Sequence, residues 1–185
     1  EQYWVGFLYG ILSSGKVETG EVEPLKVICT DFVDRFDDLD ANDLLQDLEA
    51  WPQAPEELQG FIKDIIDERS NGIEDMLKQR SVPLNFFYGF IKGIACDNKI
   101  RVEELQSLIE LGIADVGLFE EDARVEKVVN YSRMAISDMV ISDEENDEIC
   151  EYIARIVGDS FADTGIGLPN DIPQLEGTIH KFSEI

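Results

Sequence analysis

A pattern that returns after 83 residues constrains this chain more than any other feature. Phe7-Leu8-Tyr9-Gly10-Ile11 leads into Ser14-Gly15-Lys16-Val17 and then Glu21 and Leu25; Phe90-Ile91-Lys92-Gly93-Ile94 leads into Asp97-Asn98-Lys99-Ile100 and then Glu104 and Leu108. A further 41 residues on, Tyr131, Ala135, Asp138, Ile141, Glu145 and Ile149 fill the same slots. Because 83 is about twice 41, a degenerate fourth copy is expected around residues 42–66, with Leu58 in the slot of Val17. Periods of this length mark supersecondary units that bury their apolar faces only by stacking on one another.

Each copy reads as helix, tight turn, β-branched residue, helix. Gly15 and Asn98 stand just past a helix end, where residues that tolerate the left-handed conformation are favoured; Met139 breaks the rule in the third copy. Val17, Ile100 and Ile141 are expected to point inward and pin the turns. Glu21, Glu104 and Glu145 fall in the first turn of the following helix and complement its dipole. Ser142 and Glu145 form an S-x-x-E capping box, whereas Glu18 and Arg101 hold the cap slot of the other copies and leave the box incomplete.

Apolar residues recur at steps of three and four, as in Leu58, Phe61, Ile62, Ile65 and Ile66 or Ile149, Tyr152, Ile153, Ile156 and Val157. Such stripes, backed by acids, specify amphipathic helices around a shared core. Helices are expected near 3–13, 19–36, 41–50, 55–78, 84–96, 102–113, 122–137 and 143–157. Trp51-Pro52 and Pro55 break the chain, Asn71-Gly72 can interrupt the fourth helix, and Gly112 and Gly117 punctuate the connection after the sixth. The fold class is therefore all-α: tandem helix–turn–helix repeats, about eight helices, arranged as one repeat pair over 1–80 and another over 81–158. Residues 159–185 carry Gly165, Gly167, Pro169, Pro173 and Gly177 and read as an extended tail or linker. Glu1 in place of an initiator Met reads as an excised or processed chain.

Charge narrows the partners. Against 40 acids stand 15 Lys and Arg, a formal net charge of -25. Nucleic acid and anionic membranes repel such a surface, which leaves basic proteins or cations as binding partners, or charge that serves solubility alone. The cysteines, Cys29, Cys96 and Cys150, form no CxxC pair, sit in apolar helical patterns and read as buried, reduced thiols of a cytoplasmic protein. No apolar run reaches membrane-spanning length.

The turn resembles the second half of an EF-hand loop, with Gly15, Val17 and Glu21 at the glycine, hydrophobic and final glutamate positions. The two leading ligand slots hold Gly10 and Leu12, Gly93 and Ala95, and Met134 and Ile136, none of which offers the oxygen side chain calcium needs. A looser site remains conceivable: Asp97 with Glu104, and Asp138 with Glu145, are oxygen pairs of the kind that magnesium or calcium accepts, and Asp31, Asp34 and Asp38 share one helix face. A solvated acidic face is the competing reading. The single histidine, His180, lies in the tail with nothing organised around it, and no P-loop or GxGxxG is present, so no enzyme is indicated. The aromatic groups Tyr3, Trp4, Phe7, Tyr9 and Phe86, Phe87, Tyr88, Phe90 lack the interleaved basic residues of a base-stacking surface and read as core.

The segments from Gly10 to Val17 and from Gly93 to Ile100 resemble the TerB-like (tellurite-resistance) helical families of bacteria, whose turn is similar to G-I-x-x-D-G-K-I followed by two glutamates. The stretch from Phe87 to about Gly165 also resembles helical regions that precede a C-terminal BRCT domain in some bacterial proteins. The resemblance implies a non-enzymatic helical module that serves protein–protein interaction, linked through a BRCT neighbour to DNA repair or replication; alternatively it implies a divalent-cation-responsive stress module. Ser14 in place of the family Asp, and Met139 in place of the Gly, depart from the pattern.

Overall fold

The computed structural model describes residues 1–50, 56–70 and 73–158. The described residues contain ten α-helices and no strand: α1 (Gln2–Leu12), α2 (Val22–Phe36), α3 (Leu39–Ala50), α4 (Glu56–Ser70), α5 (Ile73–Gln79), α6 (Leu84–Ile94), α7 (Val102–Ala114), α8 (Gly117–Glu121), α9 (Ala123–Ala135) and α10 (Asp143–Val157). Short 3₁₀ turns at Thr19–Glu21 and Ile136–Asp138 flank α2 and α9. The all-α reading therefore holds. The expected breaks at Trp51-Pro52, Pro55 and Asn71-Gly72, and the tail from 159, lie outside the described residues.

The 83-residue repeat appears in space as a local two-fold. α1 and α6 form the most extensive helix pair among the described residues. Their contact is reciprocal: Gly6 abuts the Phe86 carbonyl and Gly89 abuts that of Tyr3, while Gly10 meets Phe90 and Gly93 meets Phe7. Subtracting the repeat offset turns each contact into its partner. A β-carbon on Gly10 would lie 2.5 Å from the Phe90 carbonyl oxygen, and one on Gly93 would lie 2.5 Å from that of Phe7. Only glycine lets two helix backbones approach so closely. Around this seam Trp4, Phe7, Leu8, Ile11, Phe86, Phe87, Phe90, Ile91 and Ile94 are buried, so the tryptophan and phenylalanines of the aromatic groups are core, while Tyr3, Tyr9 and Tyr88 are half-buried at its margin.

Corresponding helices flank the seam in similar ways. α2 packs on α3 as α7 packs on α9, α4 on α3 as α10 on α9, and α4 on α1 as α10 on α6. Thus α3 and α4 stand where the degenerate fourth copy is expected. Leu58 is buried, but it lies inside α4, whereas Val17, Ile100 and Ile141 precede their helices. The turn of that copy falls in 51–55, outside the described residues.

Several expectations change. The helix expected over 55–78 is two, because α4 ends at Ser70 and α5 begins at Ile73. The stretch 19–36 opens with a 3₁₀ turn before α2. Gly112 is not punctuation: it lies inside α7, where an added β-carbon would come within 2.5 Å of Val129 Cγ2, so it admits α9. α8 adds a helix beyond the expected eight; Asp115 turns the chain into it by accepting a hydrogen bond from the Gly117 amide at 3.0 Å. Phe36, the last residue of α2, is exposed.

Candidate functional site

The first and second turns meet at the two-fold and build a buried, heavily charged cluster. The left-handed slot is occupied in the three described turns: Gly15 has φ +95°, Asn98 +59° and Met139 +61°. Val17 and Ile100 are buried beneath it, while Ile141 is only half-buried. Met139 adopts the left-handed conformation without the chemistry for it; a non-glycine residue there carries a steric cost of about 1–2 kcal/mol. Its side chain is exposed and makes one long contact, from Gln106 Nε2 to its Sδ at 3.9 Å. Met139→Gly is therefore expected to raise stability by about 1 kcal/mol, or roughly 3 °C in melting temperature, read by thermal circular dichroism; an unchanged or lower midpoint would show that the slot carries no strain.

The glutamate after each turn reaches back to cap it. Glu21 Oε2 accepts from the Glu18 amide at 2.7 Å, Glu104 Oε2 from the Arg101 amide at 2.8 Å and Glu145 Oε2 from the Ser142 amide at 2.8 Å. The carboxylate half of the capping box thus forms in the three described turns, and Ser142 Oγ supplies the other half in the third, accepting from the Glu145 amide at 3.2 Å. Glu21 and Glu104 are fully buried. Between them lies one guanidinium. Arg101 approaches Asp97 at 2.8 Å, Glu104 at 3.2 Å, Glu18 at 3.5 Å and Glu21 at 3.8 Å. Glu18 and Arg101 occupy equivalent slots in their copies, so the two-fold itself brings them face to face.

Four carboxylates around one cation cannot all be comfortable in a desolvated site. Burial pushes Glu21 up to about 8, with the negative charge of Glu104 adding to it against the Glu18 amide and Arg101. Burial likewise pushes Glu104 up to about 7, against the Arg101 amide and guanidinium. Burial alone would lower the Arg101 pKa, but the Asp97 hydrogen bond and the surrounding acids raise it, so it stays charged. Glu21 Oε1 has no hydrogen-bond partner among the described residues and approaches Arg101 only at 3.8 Å.

The sign of the resulting pH dependence follows from linkage. With folded pKa values above the ordinary 4.5, the folded chain binds more protons than the unfolded chain between pH 4.5 and 8. Their contribution is therefore fully present below the unfolded value and is lost as pH rises through 7 and 8. Asp38 and Asp122 act in the opposite sense: against the upward pull of burial, Arg69 holds Asp38 low, and Arg124 with Tyr88 holds Asp122 low, so their stabilisation fades below about pH 4. Melting temperature should peak near pH 5 and decline to pH 8.5, and Glu21→Gln with Glu104→Gln should flatten the decline. A midpoint that rises across that window would contradict the buried-acid arrangement.

Of the acids considered as cation ligands, the structure brings Asp97 and Glu104 together, but around Arg101. Asp97 Oδ1 also accepts from the Lys99 amide at 3.0 Å. Asp138 and Glu145 serve the third turn, Asp138 Oδ1 accepting from the Val140 amide at 3.1 Å. Asp31 pairs with Arg35 at 2.7 Å and Asp38 with Arg69 at 2.7 Å. Among the described residues no group of three or more His, Cys, Asp or Glu side chains has the geometry to hold a metal ion. Sequence reasoning placed Arg101 only as a faulty cap. Its opposite charge at the slot of Glu18 was the available signal, and it becomes meaningful once the two copies are known to face each other.

Two other features have the shape of sites. Cys96 and Cys150 line a cavity of about 270 Å³ beside Lys92 and Gly158, with Lys92 Nζ donating to the Gly158 carbonyl at 3.0 Å. Only Cys29 is fully buried as expected; Cys96 and Cys150 are half-buried, since this cavity opens between α6 and α10, and all three thiols are free. Burial, reinforced by neighbouring acids, pushes Cys96 well up and Cys150 to about 11, so neither is an activated thiolate. The second feature is an open groove of about 910 Å³ between α1, α4 and α5. Tyr9, Leu12, Ile66, Ile73 and Leu77 give it an apolar lining.

No protein family, curated protein or solved structure matches this chain in sequence or structure comparison. No helix among the described residues is long and apolar enough to cross a membrane.

Proposed function

We propose that this chain is a non-catalytic helical scaffold that holds a protein partner. The groove between α1, α4 and α5 carries the proposal: the half-buried apolar side chains Tyr9, Leu12, Ile73 and Leu77 line an opening edged by the exposed acids Glu56, Asp67 and Glu74, the apolar floor and polar rim of a recognition site. The buried acids do not compete with this reading, because Glu21 and Glu104 are closed off inside the fold, each capping its own turn. The resemblance of the turns to TerB-like proteins, and of the stretch from Phe87 onward to regions preceding BRCT domains, supports a bacterial, cytoplasmic setting in which such a module joins DNA-repair or replication proteins through protein contacts, without touching nucleic acid. The test is capture by the full-length gene product followed by crosslinking at lysine. Lys16 and Lys63 line the groove, so a stoichiometric protein partner joined to either of them supports the proposal, and recovery of no partner sinks it.

A further inference from the structure

We infer that the groove takes a basic amphipathic helix; the inference rests on the protein-binding reading above and names the partner's chemistry. The apolar lining comes from side chains one helical turn apart, Tyr9 and Leu12 on α1 and Ile73 and Leu77 on α5, with Ile66 of α4 between them. Ridges at that spacing receive the side chains that a helix presents at i, i+3 or i+4, and i+7. α5 has no fully buried residue, although Ile73, Met76 and Leu77 pack partly against the core. Among the described residues it is an amphipathic helix whose apolar face is only partly covered.

Charge selects the sign of the partner. The groove is edged by the exposed acids Glu56, Asp67 and Glu74. Glu57, Asp64, Glu68 and Asp75 extend the acidic surround along the same two helices, and all are exposed. Of the two lysines at the edge, Lys16 lies 3.6 Å from Glu18, and against Lys16 and Lys63 stand the three lining acids Glu56, Asp67 and Glu74. Lys78 approaches Glu74 at 3.4 Å across one turn, an exposed pair of the kind a competing cation displaces at little cost. An acidic helix would meet repulsion here; a basic one would neutralise the edge while its apolar stripe fills the floor.

The experiment uses the whole chain and three fluorescent peptides in physiological salt: a Leu-striped, Lys-rich helix; the same peptide with Ser in the stripe; and a Leu-striped, Glu-rich twin. The first should bind saturably, the second roughly tenfold more weakly or worse, and the third not measurably. Ile73→Asp, which spoils the floor, and Asp67→Lys, on the exposed edge, should each weaken the first peptide by roughly tenfold, with the fold of each checked by circular dichroism. Equal binding of the Ser-striped peptide would reduce the effect to bulk charge attraction and overturn the inference, as would affinity unchanged in both variants. Self-association of the chain that Ile73→Asp abolishes would assign the groove to a second copy instead. A Lys-rich helix that binds but crosslinks away from Lys63 would overturn the groove as its seat while leaving the scaffold reading intact; that reading fails separately, through an empty capture.

Discussion

Gly6→Ala is expected to cost about 3 kcal/mol or more, although helix propensity alone predicts a gain of about 1 kcal/mol for the same exchange. Gly6 lies inside α1, and its added β-carbon would sit well inside van der Waals contact distance of the Phe86 carbonyl oxygen and against the Phe86 backbone. The obstacle is main chain of a buried helix, so no side-chain rotation relieves it; the two helices must separate and the aromatic layer must loosen with them. Gly89→Ala should cost about as much, since its β-carbon would collide in the same way with Tyr3, and the double variant should fall short of additive because one separation of the helices relieves both clashes. Gly60 supplies the control. It is exposed in α4 with nothing within 4 Å of an added β-carbon, so Gly60→Ala should stabilise by up to about 1 kcal/mol. Denaturant unfolding measures all of these. Equal effects at Gly6 and Gly60 would mean that α1 and α6 do not meet at their glycines.

Arg101→Met should destabilise by about 3–5 kcal/mol near pH 8 and by much less near pH 5. The guanidinium is the cation shared by Glu18, Glu21, Asp97 and Glu104. Removing it leaves Glu21 and Glu104 buried among negative charges, Asp97 included, so each protonates more readily or unfolds the turn. Lowering the pH provides the proton that substitutes for the lost cation. Restoring charge balance by chemistry should do the same: Glu21→Gln in the Arg101→Met background should recover part of the loss, a coupling that a double-mutant cycle reads directly. Arg101→Lys should recover less than its charge suggests, because a compact ammonium cannot fork towards acids on both copies at once. A loss independent of pH would mean that Arg101 contributes packing rather than charge.

The repeat was legible in the sequence because its slots are chemically specific: a left-handed position, a β-branched pin and a capping acid recur at Gly15, Val17 and Glu21 and at Asn98, Ile100 and Glu104. The helical stripes were legible for the ordinary reason that burial has a period. What periodicity does not carry is which buried face meets which. Gly6, Gly10, Gly89 and Gly93 fall four apart within helices, yet glycine in a helix reads equally as a weakness, a stop or a close approach, and Gly112 was misread for that reason. The candidate site suffered more. Asp97 and Glu104 were recognisable as a nearby pair, but the cation between them is the neighbouring cap residue, and the opposing acids come from a turn 80 residues away. The groove was invisible for a different reason: its lining is drawn from α1, α4 and α5, each of which carries an unremarkable apolar stripe, and only their packing decides which apolar residues are left uncovered.

Native-state hydrogen exchange tests the central claim, that two copies of one unit are fused through α1 and α6 into a single cooperative body. The account predicts that the amides of Phe7, Leu8 and Ile11 and of Phe90, Ile91 and Ile94 are the slowest among the residues described, and that they open together at the free energy of global unfolding. Exchange of α1 at a much lower free energy than α6, with the second half remaining protected, would contradict it.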